Sequence, residues 1–393
     1  MHTAAALLFV TVAYTNGHWF DGTKFVERTM YVRDGVFVAK SAHVDETVNL
    51  AGGWVVPPFG EAHNHDVEGD DVDQRSAQYL KAGVFYVENP NAMPNDVARG
   101  MVNRPDTIDA IFATGSFTGS GGHPVDVVDR NIKRGGMTEA QGDGMFYFAV
   151  DTAADVERRW PAFIAFKPDI IKTYLLYSDQ YARRRDDPAK RGWRGLDPAV
   201  LPLIVKKAHA AGLRVATHVE NAADFRAAVA AGADQIAHLP GFRPEEQDVS
   251  GYTNGTFLLT DADAKRAARA SIVVVTTAGE TITDGGKEAR DVIAANLRTL
   301  HRNGVQIAIG SDAYRRGVVP EAMALHTLGV FSNAELLRLW TESTATAIFP
   351  KRKVGRLVPG YEASFLVLAG DPLADFENVR KITRRVKRGL ALP

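Results

Sequence analysis

Residues 212–241 read GLRVATHVENAADFRAAVAAGADQIAHLPG. Two short apolar runs, LRVATH and DQIAHL, flank an Ala-rich helical stretch that closes on Gly232, the residue that best tolerates the turn ending a helix. Strand, helix, strand is the repeating unit of a parallel sheet, because parallel neighbours need a crossover between them. Both runs end in a histidine, His218 and His238.

The same alternation extends outward in both directions. Eight runs read as strands: WVVPPF near 54, GVFYVE near 83, DAIFAT near 109, DIIKTYL near 169, the two above, SIVVVTT near 271 and VQIAIGSD near 305. No early Gly-x-Gly-x-x-Gly turn marks an open dinucleotide-binding sheet. The expected class is therefore α/β, with a (β/α)8 TIM barrel over residues 57–350. Two connections are long, 178–196 and 241–264, and long segments after barrel strands are candidate lids. The ends differ from this middle. Residues 10–39 alternate short β-rich runs with turn signals at Asn16-Gly17, Asp21-Gly22 and Asp34-Gly35, as in a small antiparallel sheet, and GRLVPGYEASFLVLAG with a further run near 381–388 repeats that texture. One small composite β-sandwich-like domain, built from residues 1–56 plus 351–393 of both termini, is expected.

Composition removes several classes of function. With 46 basic and 47 acidic side chains among 393 residues, no global field favours nucleic acid or an anionic membrane. The chain has no cysteine, which excludes disulfides, thiolate-bound metal and a thiol nucleophile. No apolar run reaches the length of a membrane span. Residues 4–13 (AAALLFVTVA) have the length of a signal-peptide core without its basic start or cleavage site, so both a cytoplasmic and an exported or periplasmic location stay open.

In a (β/α)8 barrel the reactive side chains stand at the C-terminal ends of the strands. The first strand runs into His63-Asn64-His65, the fourth carries Lys172, the fifth and sixth end at His218 and His238, and the eighth ends at Asp312. Side chains two apart on an extended chain point the same way, so His63 and His65 can grip one ion. Singly, each has an ordinary reading: a buried hydrogen-bonded imidazole, a snorkelling lysine, a helix-capping Asp. Jointly, metal-competent residues from five strands fall on one rim.

That order, together with VVPPFGEAHNH, KPDIIKTYLLY, GVQIAIGSDA and the closing GRLVPGYEASFLVLAGDPL, resembles the binuclear metal branch of the amidohydrolase superfamily, in particular its imidazolonepropionase-like and Xaa-Pro or Xaa-Arg dipeptidase-like members. The resemblance implies a metal-dependent hydrolase in which Lys172 becomes a carbamate with carbon dioxide and bridges two divalent ions. Zinc is the first expectation for this donor set. His63, His65 and Asp312 would hold the more buried ion, His218 and His238 the more exposed one, and a bridging hydroxide would cleave a C–N amide bond. Asp312 would be the catalytic proton carrier. Glu61, Pro57-Pro58-Phe59 and Ser364 depart from the usual pattern without replacing an implied ligand.

For the substrate, a small molecule or short peptide-like amide, N-acyl amino acid or cyclic amide, the residues expected in contact are His123, Tyr174 and Tyr177. The basic insertion YARRRDDPAKRGWRG reads as a solvated Asp-paired loop, with an arginine clamp on a carboxylate as the sharper alternative. A deaminase or lactonase on the same scaffold competes, as does a non-catalytic binding protein. Lys172 favours the two-metal amide reaction over the deaminase; Glu220 stands near His218, as a glutamate does in deaminases, but not at their usual spacing. A homo-oligomer agrees with the resemblance.

Overall fold

The computed structural model describes residues 10–69, 71–244 and 249–393. Residues 4–9 of the apolar opening stretch, and 245–248 within the second long connection, lie outside the described residues.

The chain opens with β1 (Thr11–Phe20), β2 (Phe25–Arg33), β3 (Val36–Val38) and β4 (Glu46–Val56). Two of the three turn signals are hairpins: Phe20 pairs with Phe25, and Arg33 pairs with Val36. At the second, Asp34 and Gly35 both have positive φ (54° and 74°), the backbone that a tight two-residue hairpin needs. Asn16-Gly17 is not a turn. Asn16 also has positive φ, at 53°, but the strand continues through it, and the register shifts there against both β2 and β4, as in a bulge. Nor is the sheet purely antiparallel, since β1 pairs with β4 in parallel.

Next come β5 (Phe59–Glu61), β6 (Val84–Ala92), β7 (Asp109–Thr114), β8 (Ser116–Thr118), β9 (Phe148–Ala149), β10 (Ile171–Tyr174), β11 (Val215–His218), β12 (Gln235–Ala237), β13 (Val273–Val275) and β14 (Gln306–Ala308). All their ladders are parallel, in two sheets ordered β5-β6-β7 and β14-β13-β12-β11-β10-β8-β9. The expected first strand is thereby corrected. Trp54–Val56 ends β4 in the other sheet, the prolines Pro57 and Pro58 interrupt the ladder because they have no N–H to donate, and the parallel strand starts only at Phe59. Main-chain bonds also run between the two parallel sheets: Asp169 N donates to Phe112 O (2.8 Å), and Ala62 N to Ile309 O (2.9 Å).

The chain closes with β15 (Phe365–Leu368), β16 (Ile382–Lys387) and β17 (Leu390–Leu392), which return to the opening strands in a sheet ordered β17-β16-β15-β4-β1-β2-β3. Its own apolar cluster includes Tyr14, Trp19, Phe37 and Phe365, distinct from the larger one around the parallel strands. Asp109, at the start of β7, is fully buried and accepts from Lys387 Nζ (2.8 Å), Arg352 Nη2 (2.7 Å) and Arg388 Nη2 (2.8 Å). Lys387, equally buried, also donates to the carbonyls of Arg104 and Thr107. Burial works against both charges, but the cations around Asp109 still hold its carboxyl below the usual range, and burial lowers the Lys387 ammonium.

Among the described residues no helix is long and apolar enough to cross a membrane.

Candidate active site

The strand ends place their polar residues with unusual backbone. His238, just past β12, has φ +81°, and Asp312, just past β14, has φ +48°. Such conformations cost a non-glycine residue roughly 1–3 kcal/mol and persist where surroundings enforce them. For His238 those surroundings are Thr277 Oγ1, 2.7 Å from Nδ1, and the Phe242 ring stacked at 3.9 Å. For Asp312 the backbone N–H donates to His63 O at 2.7 Å. Gly310 makes that approach possible, because a Cβ there would lie 2.7 Å from His63 N. Glu61 ties the same two strand ends: it accepts from His63 N (3.2 Å), Ser311 N (2.8 Å) and Ser311 Oγ (2.6 Å). Burial raises its carboxyl to about 8.

His63, His65, Lys172, His218, His238 and Asp312 line one cavity of about 340 Å³. Asp312 Oδ1 lies 3.8 Å from His63 Nε2 and 3.5 Å from His65 Nε2. The His238 ring centre is 4.5 Å from that of His63 and 4.4 Å from that of His218. Ligand atoms of His63, His238 and Asp312 fall within 4.8 Å of one another, a spacing one ion can bridge given bonds of about 2.0–2.2 Å.

Three of the imidazoles are oriented by a contact at one ring nitrogen; His63 Nδ1 has no hydrogen-bond partner among the described residues. His65 Nδ1 faces Asn91 O at 3.2 Å, and His238 Nδ1 is held by Thr277, so in both rings Nε2 is left. His218 is reversed: its Nε2 contacts Glu220 Oε1 at 2.9 Å, which leaves Nδ1. Burial, then the positive charge of neighbours, depresses the His63 and His238 imidazoles far below their usual value. They are neutral, as ligation requires. Burial also lowers the Lys172 amine to about 8. Lys172 is 1% exposed, and among the described residues its Nζ has no hydrogen-bond partner. A buried ammonium left unpaired beside imidazoles is costly, so this position fits a group that is not a bare cation. The donor set of imidazoles, one carboxylate and a convertible amine suits divalent ions.

Of the substrate contacts expected from sequence, His123 and Tyr174 line the cavity and Tyr177 does not. Tyr177 takes a left-handed backbone (φ +52°), donates its N–H to Asp224 Oδ2 (2.9 Å), and packs its ring under Arg184. The basic insertion contributes Gly192 and Trp193 to the wall and none of its charges. Arg191 pairs with Asp129, Arg185 with Asp186, and Arg194 with the carbonyls of Ser120, Arg184 and Asp187. Sequence reading missed Asn91, Asp126, Arg130 and Arg243, which also line the cavity. Asp126 and Arg130 carried a signal, lying four apart on one face of the helix that follows His123. Arg243 and Asn91 carried none.

A model of the amidohydrolase family matches residues 67–386. The chain belongs to the amidohydrolase family. YtcJ of Bacillus subtilis (strain 168), which carries the amidohydrolase name, is 26% identical over 212 residues, 48% of this chain and 39% of that protein; the match therefore spans well under half of that relative. Among solved structures, this amidohydrolase superposes on the A. niger ochratoxinase with a TM-score of 0.74 at 17% identity, covering 98% of this chain and 95% of that one. A Xaa-Pro dipeptidase with bound methionine in the active site gives 0.73 at 17% identity, covering 97% and 99%. Molinate hydrolase gives 0.73 at 16%, covering 98% and 95%. These likenesses establish a shared α/β fold.

Proposed function

We propose that this amidohydrolase cleaves the amide bond of a small peptide-like, N-acyl amino acid or cyclic amide substrate at a centre of two divalent ions. The reading rests above all on Lys172, a buried amine with no hydrogen-bond partner among the described residues, in a cavity it shares with five histidines and Asp312. His63, His65 and Asp312 would hold one ion, His218 and His238 the other, and Lys172, as its carbamate, would bridge them. With an amine near 8, about a tenth is neutral at pH 7 and able to add carbon dioxide. When bound, such ions lower the pKa of a shared water and polarise a substrate carbonyl; zinc suits the ligands. Asp312 would accept the proton of the attacking water and return it to the leaving amine. Tyr174 and His123 would orient the carbonyl, and Glu220 would fix the ring of His218, as carboxylates do for metal-bound imidazoles. The Xaa-Pro dipeptidase among the structural neighbours supports a C–N bond as the target.

The scaffold follows the same reading. We take the parallel strands as one closed (β/α)8 ring, supported by the Ala62–Ile309 and Asp169–Phe112 bonds, and the sheet joining both chain ends, with its separate apolar cluster, as a composite domain.

The test is metal analysis of purified protein prepared with bicarbonate, followed by a screen of N-acyl amino acids, dipeptides and cyclic amides. About two metals per chain and chelator-sensitive turnover are expected. Full activity in chelator-treated protein would overturn the assignment.

A further inference from the structure

The cavity carries charge in an uneven way. Its acidic residues, Asp126, Glu220 and Asp312, are each already engaged: Asp126 with His123 and Arg130, Glu220 with His218, and Asp312 with His63, His65 and Arg243. Among the described residues each wall carboxylate thus already faces a basic group or an imidazole, and the unpartnered Oε2 of Glu220 is buried. The guanidinium groups differ from one another. Arg243 places Nη1 on Asp312 Oδ2 (3.4 Å) and Nη2 on Glu280 Oε2 (2.9 Å). Arg130, with 57% of its side chain exposed, places Nη1 on Asp126 Oδ2 at 2.9 Å, and a guanidinium has five N–H donors.

Asp126 is the hinge of this arrangement. Its other oxygen, Oδ1, takes His123 Nδ1 at 2.8 Å, so one carboxylate fixes both the imidazole, whose ring lies 5.2 Å from that of His218, and the arginine one turn further along the helix Val125–Lys133. Val127, Phe146 and Trp193 supply apolar wall beside them. A ligand with its scissile carbonyl at the histidines and a carboxylate near Arg130 would match this sequence of groups.

We propose that Arg130 binds a carboxylate of the substrate, so that the cavity selects anionic amides, the class of N-acyl amino acids and dipeptides with a free carboxylate, over neutral amides of the same shape. This rests on the amide-hydrolase reading above. Arg130 is a specificity residue here: it touches the substrate away from the reacting bond.

The experiment compares a panel of N-acetyl-L-amino acids with their C-terminal primary amides, which share the acetyl–nitrogen bond, on the metal-loaded enzyme. The acids should be preferred in kcat/KM by about tenfold to a hundredfold, the range for a hydrogen bond between charged groups. In Arg130→Gln that preference should shrink to within about threefold of unity through a higher KM for the acid, with Arg130→Lys between the two because it keeps the charge and loses the planar fork. Equal rates for acid and amide in the wild type would overturn the proposal, as would a preference that survives Arg130→Gln, or one lost through kcat alone. A second arm measures calorimetric binding of the free L-amino acids against the corresponding amines without the carboxylate. Tighter binding of the amino acid, lost in Arg130→Gln, supports the carboxylate subsite even if no panel member is cleaved, an outcome that would count against the hydrolytic reading alone; equal binding of both overturns the subsite.

Discussion

Two lysines of this chain are almost fully sealed from solvent, and they have opposite surroundings. Lys387 sits against Asp109 and two carbonyls, with Arg352 and Arg388 completing the carboxylate's shell. Lys172 has no hydrogen-bond partner among the described residues and faces imidazoles. A buried charge that is fully paired holds parts of a fold together; one left unpaired costs stability and persists where chemistry uses it. The contrast separates a structural cluster from a reactive one within the same protein.

The strongest way to break the comparison is Lys172→Ala. Turnover should fall by at least about a thousandfold, an effect worth about 4 kcal/mol in the barrier, with partial rescue by short carboxylic acids and an unaltered melting temperature. Normal turnover in that variant would remove the carbamate. Asp109→Asn should do the reverse: a loss of stability of about 3–5 kcal/mol from stranding buried Lys387, read by denaturant unfolding, with kcat of the folded fraction retained. Because the Asp109 carboxyl is held below its unfolded value, its contribution is present above that unfolded value, near 4, and lost as pH falls through the folded one. The wild type should therefore lose stability on acidification more steeply than Asp109→Asn. A smaller effect is expected at Glu220, where Glu220→Ala should weaken metal affinity by about tenfold to a hundredfold and Glu220→Gln by less, measured by competition with a chelator; unchanged affinity in both would remove its role on His218. The smallest is Arg191→Ala. Its pair with Asp129 lies on the surface, so unfolding free energy should change by under about 1 kcal/mol, and kcat/KM should not move. A large drop in kcat/KM would instead return the arginines of that loop to the substrate.

The sequence was legible where a residue's position on a strand decides its direction. His63, His65, Lys172, His218, His238 and Asp312 could all be placed because side chains at the strand ends of a parallel sheet share one rim. It was silent where loops decide. Tyr177 follows Lys172 closely in the chain, yet its left-handed backbone and the Asp224 carboxylate take it off the cavity, a change of direction that spacing does not encode. Arg243 arrives from the loop after β12 and Asn91 from the end of β6, where nothing periodic marks a side chain as inward. The prolines at 57 and 58 show a third limit: an apolar run read as one strand is divided between two sheets, because the hydrophobic pattern records burial and not which partner provides it.

The edge of β4 has a long wait during synthesis. Val55 pairs with Val367, about three hundred residues later, and a ribosome adding roughly 5–20 residues per second leaves that apolar edge open for at least fifteen seconds or so. Nascent chains of this protein would thus be most prone to sticking together before the last strands emerge, and slowing translation should worsen the yield of folded product more than it does for proteins whose neighbouring strands follow one another directly.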